Sequence, residues 1–211
     1  MIGAGNGNRL PLKRSRGIDR THGNLPVATG REGLQVRVQQ LSLREQLERN
    51  HFLLERLNAS SARLLQTLET GDVFEAIAEI IANLIGSEQL AIFDYCPVDR
   101  TFSLQWSLGI EAEALKPFAS GHGMIGRAVQ IGASQFKERQ PEDALLEFEK
   151  DLTACVILKA STAVLGVIAI FGLLPQKSSL GWSDFELLKF LETYAAVALQ
   201  YQRLQKKQVA P

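Results

Sequence analysis

Cysteine is scarce in this chain. Cys96 and Cys155 are the only two in 211 residues. Two widely spaced thiols give neither a disulfide framework nor a zinc pattern, and they suit a reducing compartment. The three histidines, His22, His51 and His122, lie far apart, so no structural metal site is expected. No uninterrupted apolar run approaches the ~20 residues needed to cross a bilayer. The N-terminus also lacks the apolar core of a secretory signal, so a cytoplasmic location is expected. There is no Gly-x-Ser-x-Gly elbow, no HExxH and no Walker sequence, which removes the common hydrolase and nucleotidase chemistries.

Charge of one sign is lacking overall, since the formal net charge is zero. The total conceals an asymmetry. Residues 1–40 hold seven cations against two acids, a net +5, which leaves −5 for the remainder. A basic leader before an acidic folded body is expected. Its cations are too diffuse for a nucleic-acid or membrane patch, and residues 1–33, rich in Gly, Asn, Arg and Pro, are expected to be disordered.

What is present begins at about Leu34. Leu43, Leu47, Asn50, Leu54, Leu57, Ser61, Leu64 and Leu68 alternate by four and three residues, a heptad seam with charged flanks. Residues 34–69 are therefore expected to form a coiled-coil helix, with Asn50 and Ser61 as polar interruptions that fix register. Thr70-Gly71-Asp72 breaks it. Asp72 with Glu75 reads as a capping box opening a helix that runs to about Leu84 and ends at Gly86. Leu90–Tyr95 and Thr101–Gly109 read as a hairpin about Pro97–Arg100. In its second strand Phe102, Leu104, Trp106 and Leu108 are expected on one face. Leu152–Lys159 and Ala163–Phe171 read as two further strands. Ser183 with Glu186 reads as the capping box of a last helix, whose core face carries Leu187, Leu188, Leu191, Ala195, Ala198 and Leu199.

The middle of the domain holds Gly121-His122-Gly123-Met124-Ile125-Gly126. This is G-x-G-x-x-G in form, but a dinucleotide fingerprint needs a strand directly before it. Glu113–Ser120 is mixed polar with Pro117, so that reading fails. The glycines suit a tight turn that lets a short helix start close against a sheet. His122 stands beside that helix's N-terminus, where backbone amides favour an anion. The carboxylates of Glu142–Asp151 read as one solvated helical face.

The order of elements, together with Asp72-Val73-Phe74-Glu75-Ala76-Ile77, the glycine-rich turn through Val129, Val164–Ile170 and Trp182–Leu188, resembles the GAF domain family over about residues 70–203. The likeness implies an α+β fold: an antiparallel sheet with the N- and C-terminal helices packed on one face and a loop-covered cavity on the other. The domain would span 70–207. It departs at His122, where similar domains carry glutamate. It also lacks the cyclic-nucleotide pattern and the bilin-attachment cysteine of some relatives. The likeness implies a non-enzymatic signal-transduction regulator, dimeric through its terminal helices, that relays a signal to a partner protein. A small ligand would lie near Trp106, Gly121, His122, Gly123 and Phe136, and no cofactor is specified. The alternative is a ligandless scaffold of a signalling or motility assembly. An open polar cavity beside His122 and Trp106 favours the sensor, and one filled by its own side chains favours the scaffold. A thiol reductase, the enzymatic reading, requires Cys96 and Cys155 within disulfide reach, about 7 Å between α-carbons.

Overall fold

A computed structural model describes residues 31–112, 115, 117–137 and 145–209. Most of the expected basic leader, residues 1–30, lies outside that set, as does the start of the acidic stretch. The described chain falls into two units divided after Glu45. Residues up to Glu45 are helical, with Val38, Leu41 and Leu43 exposed.

Helix α1 (Arg31–Thr70) is followed by α2 (Val73–Ile80), which widens into a π turn at Ile81–Ile85. Gly86, in the left-handed region at φ 78°, closes that turn by donating to the Ile81 carbonyl, the usual glycine ending of a helix. Val73, Ile77, Ile80 and Ile81 are buried along one face, as their spacing predicts. Asp72 precedes α2, but its carboxylate makes no capping bond. It is engaged instead by Arg63 of α1 and by the Thr70 hydroxyl, so the expected capping box is not formed.

Six antiparallel strands follow: β1 (Leu90–Cys96), β2 (Thr101–Leu108), β3 (Phe118–Ala119), β4 (Gln135–Phe136), β5 (Ala154–Ala160) and β6 (Ala163–Ile170). Their order in the sheet is β3-β2-β1-β6-β5-β4. Helix α3 (Gly123–Ile131) connects β3 to β4, and α4 (Trp182–Val209) closes the chain. The central strands β1, β5 and β6 are apolar on both sides because both faces are covered. Leu90, Ile92, Val156, Ile168 and Ile170 pack under α2 and α4. Ala91, Phe93, Ile157, Val167 and Ala169 pack under α3 and the loops. The architecture is α+β and GAF-like, with a long N-terminal helix, as expected.

Two bulges shape the sheet. Ile92 pairs with Trp106 while Phe93 pairs with Leu104, which makes Gln105 an extra residue in β2. An extra residue reverses the side-chain alternation beyond it. Trp106 and Leu108 therefore pack with the helix-side core, and Phe102 and Leu104 with the loop-side core. The four residues do not share one face, contrary to the plain alternation. The second bulge leaves Leu165 unpaired between Gly166 and Val164. Its carbonyl accepts from Arg203 of α4 at 3.1 Å, which satisfies a group that the ladder misses.

Helix α4 does not start on the expected capping box either. Asp184 Oδ2 accepts the Gly181 N–H at 2.7 Å, and the Ser183 hydroxyl accepts from Arg56. Leu187, Leu188, Leu191, Ala195, Ala198 and Leu199 are buried as the periodicity requires. Among the described residues no helix is long and apolar enough to cross a membrane.

Candidate functional site

The glycine-rich turn delivers α3 onto the loop-side core, where Met124 and Ile125 are fully buried. The free amides that open the helix are already occupied. Glu149 Oε2 accepts the Met124 N–H at 2.8 Å and Oε1 accepts the Ile125 N–H at 2.9 Å. Oε2 also accepts the Leu146 N–H at 2.8 Å. Glu149 is wholly inaccessible to solvent. A buried carboxylate needs several donors and a favourable dipole, and the start of α3 provides both. The anion that this turn holds is the chain's own side chain. The acidic stretch is accordingly no solvated helical face at this point: residues 147–149 form a 3₁₀ turn that carries Glu149 inward.

This fixes what the glycines do. Gly123 has φ 72°, and a Cβ there would stand 2.6 Å from the Glu149 carboxyl carbon. A Cβ on Gly126 would lie 2.7 Å from the Gly121 nitrogen. Both positions are closed to any side chain. His122 is extended and exposed, and its side chain makes no capping bond. Around the turn, the space under the loops holds rings: Phe118 stacks on Phe102 at 4.8 Å and meets Phe93 at 5.3 Å and Phe148 at 5.1 Å. These rings pack together on the loop-side core.

The five residues expected around a ligand therefore divide. Gly121, His122 and Gly123 lie at the loop-side turn. Trp106 and Phe136 pack against the helix-side core, across the sheet. Phe136 meets Phe185 of α4 edge-on at 4.9 Å and lines a half-open cleft of about 350 Å³ on that side.

The cysteines are also divided. Cys155 is level with Ala169 and so with Ala91 of β1, while Cys96 lies five residues further along β1. Two strand spacings across and five residues along give a separation on the order of 20 Å, well beyond a disulfide. Burial, and then the charge of Glu149, push the Cys155 thiol well above its ordinary range, which disfavours the thiolate. No cluster of metal-ligating residues occurs among the described residues.

Two further features belong to the helical layer. The first is a buried ionic joint. Arg56 of α1 is 6% exposed; its Nη2 contacts Asp184 Oδ1 at 2.8 Å and also donates to the Leu84 carbonyl, while Nη1 donates to Ser183 Oγ at 2.7 Å. Lys177 contacts Asp184 Oδ2 at 2.7 Å and donates to the Ile85 carbonyl. The two cations thus close the end of the π turn, where carbonyls lack partners. Burial alone would raise the Asp184 pKa, but hydrogen bonds from Lys177, Arg56 and the Gly181 amide outweigh it and hold it below 3.8.

The second is a ladder on α4. Phe190, Tyr194, Val197, Tyr201 and Leu204 are spaced by four, three, four and three residues, a heptad seam. Tyr194, Val197, Tyr201 and Leu204 are 57%, 54%, 42% and 53% exposed. Beside it Leu65 of α1 is 63% exposed, and the two helices enclose an apolar groove of about 330 Å³ lined by Leu64, Leu68, Phe190 and Val197 among others. The expected core face of α4 is a separate stripe of this helix, and Ala198 from it also lines the groove.

No family model and no curated protein matches the sequence. Solved structures do match. Residues 122 to 287 of a methyl-accepting chemotaxis protein superpose with a TM-score of 0.55 at 17% identity, over 70% of this chain and 98% of that one. The GAF domain of a phosphoenolpyruvate-protein phosphotransferase from Coxiella burnetii gives 0.57 at 14% identity, over 72% and 98%. A free methionine-R-sulfoxide reductase from Neisseria meningitidis, in complex with its substrate, gives 0.55 at 14% identity, over 72% and 91%. By architecture this chain carries a GAF fold.

Proposed function

We propose that this chain is a dimeric, non-catalytic regulatory module that works through its helices and not through a ligand under the glycine-rich turn. The observation that carries the reading is the solvent-facing heptad ladder of α4 beside the groove it shares with α1. A stripe of large apolar residues at heptad spacing is stable when a second helix covers it. A second copy supplies the same stripe, and a two-fold axis brings like against like. The GAF setting in a phosphotransferase and the likeness to a chemotaxis protein support a signalling role. The relay to a partner protein would then run through the helix pair.

The Glu149 carboxylate and the phenylalanine cluster favour the scaffold over the sensor at the turn. A small molecule there would have to displace a fully buried carboxylate from three amides. Against the reductase reading stands the separation of Cys96 and Cys155, on the order of 20 Å.

Native mass spectrometry of the full chain tests the reading. A species of twice the 23.3 kDa chain mass without an adduct is expected. A monomer, or a bound mass that His122→Ala removes, would contradict it.

A further inference from the structure

We infer that the cleft beside Phe136 is a binding site for a small amphipathic anion, an aromatic ring carrying one carboxylate. It lies on the helical side of the sheet, at the start of α4, and is independent of the dimer reading. The cleft encloses about 350 Å³, within the range of small-ligand sites, where apolar walls bind and a few polar groups orient. Phe136 and Phe185 meet edge-on at 4.9 Å and form one wall. Such a pair offers a ring-sized apolar surface. Ser178 and Ser179 also line the cleft and add polar residues to it.

The charge is what selects the ligand. The ionisable residues lining the cleft, Lys137 and Lys177, are both cationic. Lys177 shares Asp184 with the buried Arg56, so two cations answer to one carboxylate and the joint holds a net +1. Lys137 Nζ donates to the Lys150 carbonyl and pairs with no carboxylate among the described residues. A half-buried cation whose partner is neutral has charge left to offer an anion. The cleft therefore combines an aromatic wall, serine hydroxyls and a lysine that has no carboxylate partner among the described residues. A single carboxylate directed at Lys137, with its ring on Phe136 and Phe185, meets all three.

Isothermal titration of the full chain tests this with 3-phenylpropionate, its neutral amide and inorganic phosphate as probes. Saturable binding of 3-phenylpropionate is expected, one per chain, with a dissociation constant of about 1 mM or tighter. Lys137→Gln, a change at a partly exposed position, should weaken it about fivefold or more without altering thermal unfolding. The amide and phosphate should bind more weakly than the carboxylate. No saturable heat below about 10 mM would overturn the proposal. Equal binding of the amide, equal binding of phosphate, or indifference to Lys137→Gln would overturn it as well.

Discussion

The carboxylate of Glu149 fills the space that a side chain on Gly123 would need. A Cβ there would stand 2.6 Å from the Glu149 carboxyl carbon, and the same carboxylate binds the next two amides of α3. Gly123→Ala must therefore both adopt φ 72° and expel the carboxylate. The first costs about 1–2 kcal/mol. Loss of charge-assisted hydrogen bonds adds about 1.5–3 kcal/mol. Urea unfolding should show a loss of about 2.5–5 kcal/mol. Glu149→Gln, which keeps the shape and loses the charge, should lose about 1–3 kcal/mol. His122→Ala, at an exposed position, should change stability by less than about 0.5 kcal/mol.

The ionic joint gives a second expectation. Removing one partner of a buried pair leaves an uncompensated charge, at about 3–5 kcal/mol. Asp184→Asn, which leaves Arg56 and Lys177 without a carboxylate, should destabilise the domain on that scale, measured by denaturant midpoint at neutral pH. Arg56→Met leaves Asp184 paired with Lys177 and should cost less, about 1–3 kcal/mol. Glu55→Gln, exposed on the same helix and paired with His51 at 3.2 Å, should have little effect.

Acid should loosen the same joint. The folded-state pKa of Asp184 lies below its unfolded value of 3.8 because the hydrogen bonds of Lys177, Arg56 and the Gly181 amide outweigh burial. Its contribution is thus complete above the unfolded pKa and declines as pH falls through 3.8 toward the folded value. Thermal midpoints of the wild type should fall faster below about pH 4 than those of Asp184→Asn. Parallel profiles would remove Asp184 from the account.

Thiol reactivity separates the two cysteines. Cys155 is fully buried with its pKa raised by burial and by Glu149, whereas Cys96 is partly exposed at the end of β1. A thiol reagent should titrate one group per native chain and two after unfolding. Two native groups, or a disulfide after mild oxidation, would contradict the separation on the order of 20 Å across the sheet.

Periodicity made the layer plan legible, because helices and strands must turn their apolar faces inward. The core of α2 and that of α4 follow directly from Val73–Ile81 and Leu187–Leu199. Where the plain pattern failed, a local partner intervened. Gln105 adds one residue to β2 and sends Trp106 across the sheet from Phe102, which an unbroken alternation hides. Asp72 and Ser183 have capping composition, but Arg63, Thr70 and Arg56 claim their oxygens. Glu149 sits in an acidic run that reads as solvated, and only the fold brings it to amides 24 and 25 residues away in sequence. The ladder from Phe190 to Leu204 was written in the sequence, overlaid on the core stripe of the same helix. Two apolar stripes on one helix read together as a single buried one.

The central claim is that α1 and α4 join two copies of the chain. Sedimentation equilibrium of the wild type and of Val197→Glu tests it most directly. Val197 is 54% exposed, so a charge there leaves the folded unit intact and disrupts only what covers it. The wild type should sediment as a dimer of the 23.3 kDa chain. The variant, with unchanged circular dichroism, should shift to monomer with at least about a hundredfold weaker association. A monomeric wild type, or a variant as dimeric as the wild type, would contradict the account.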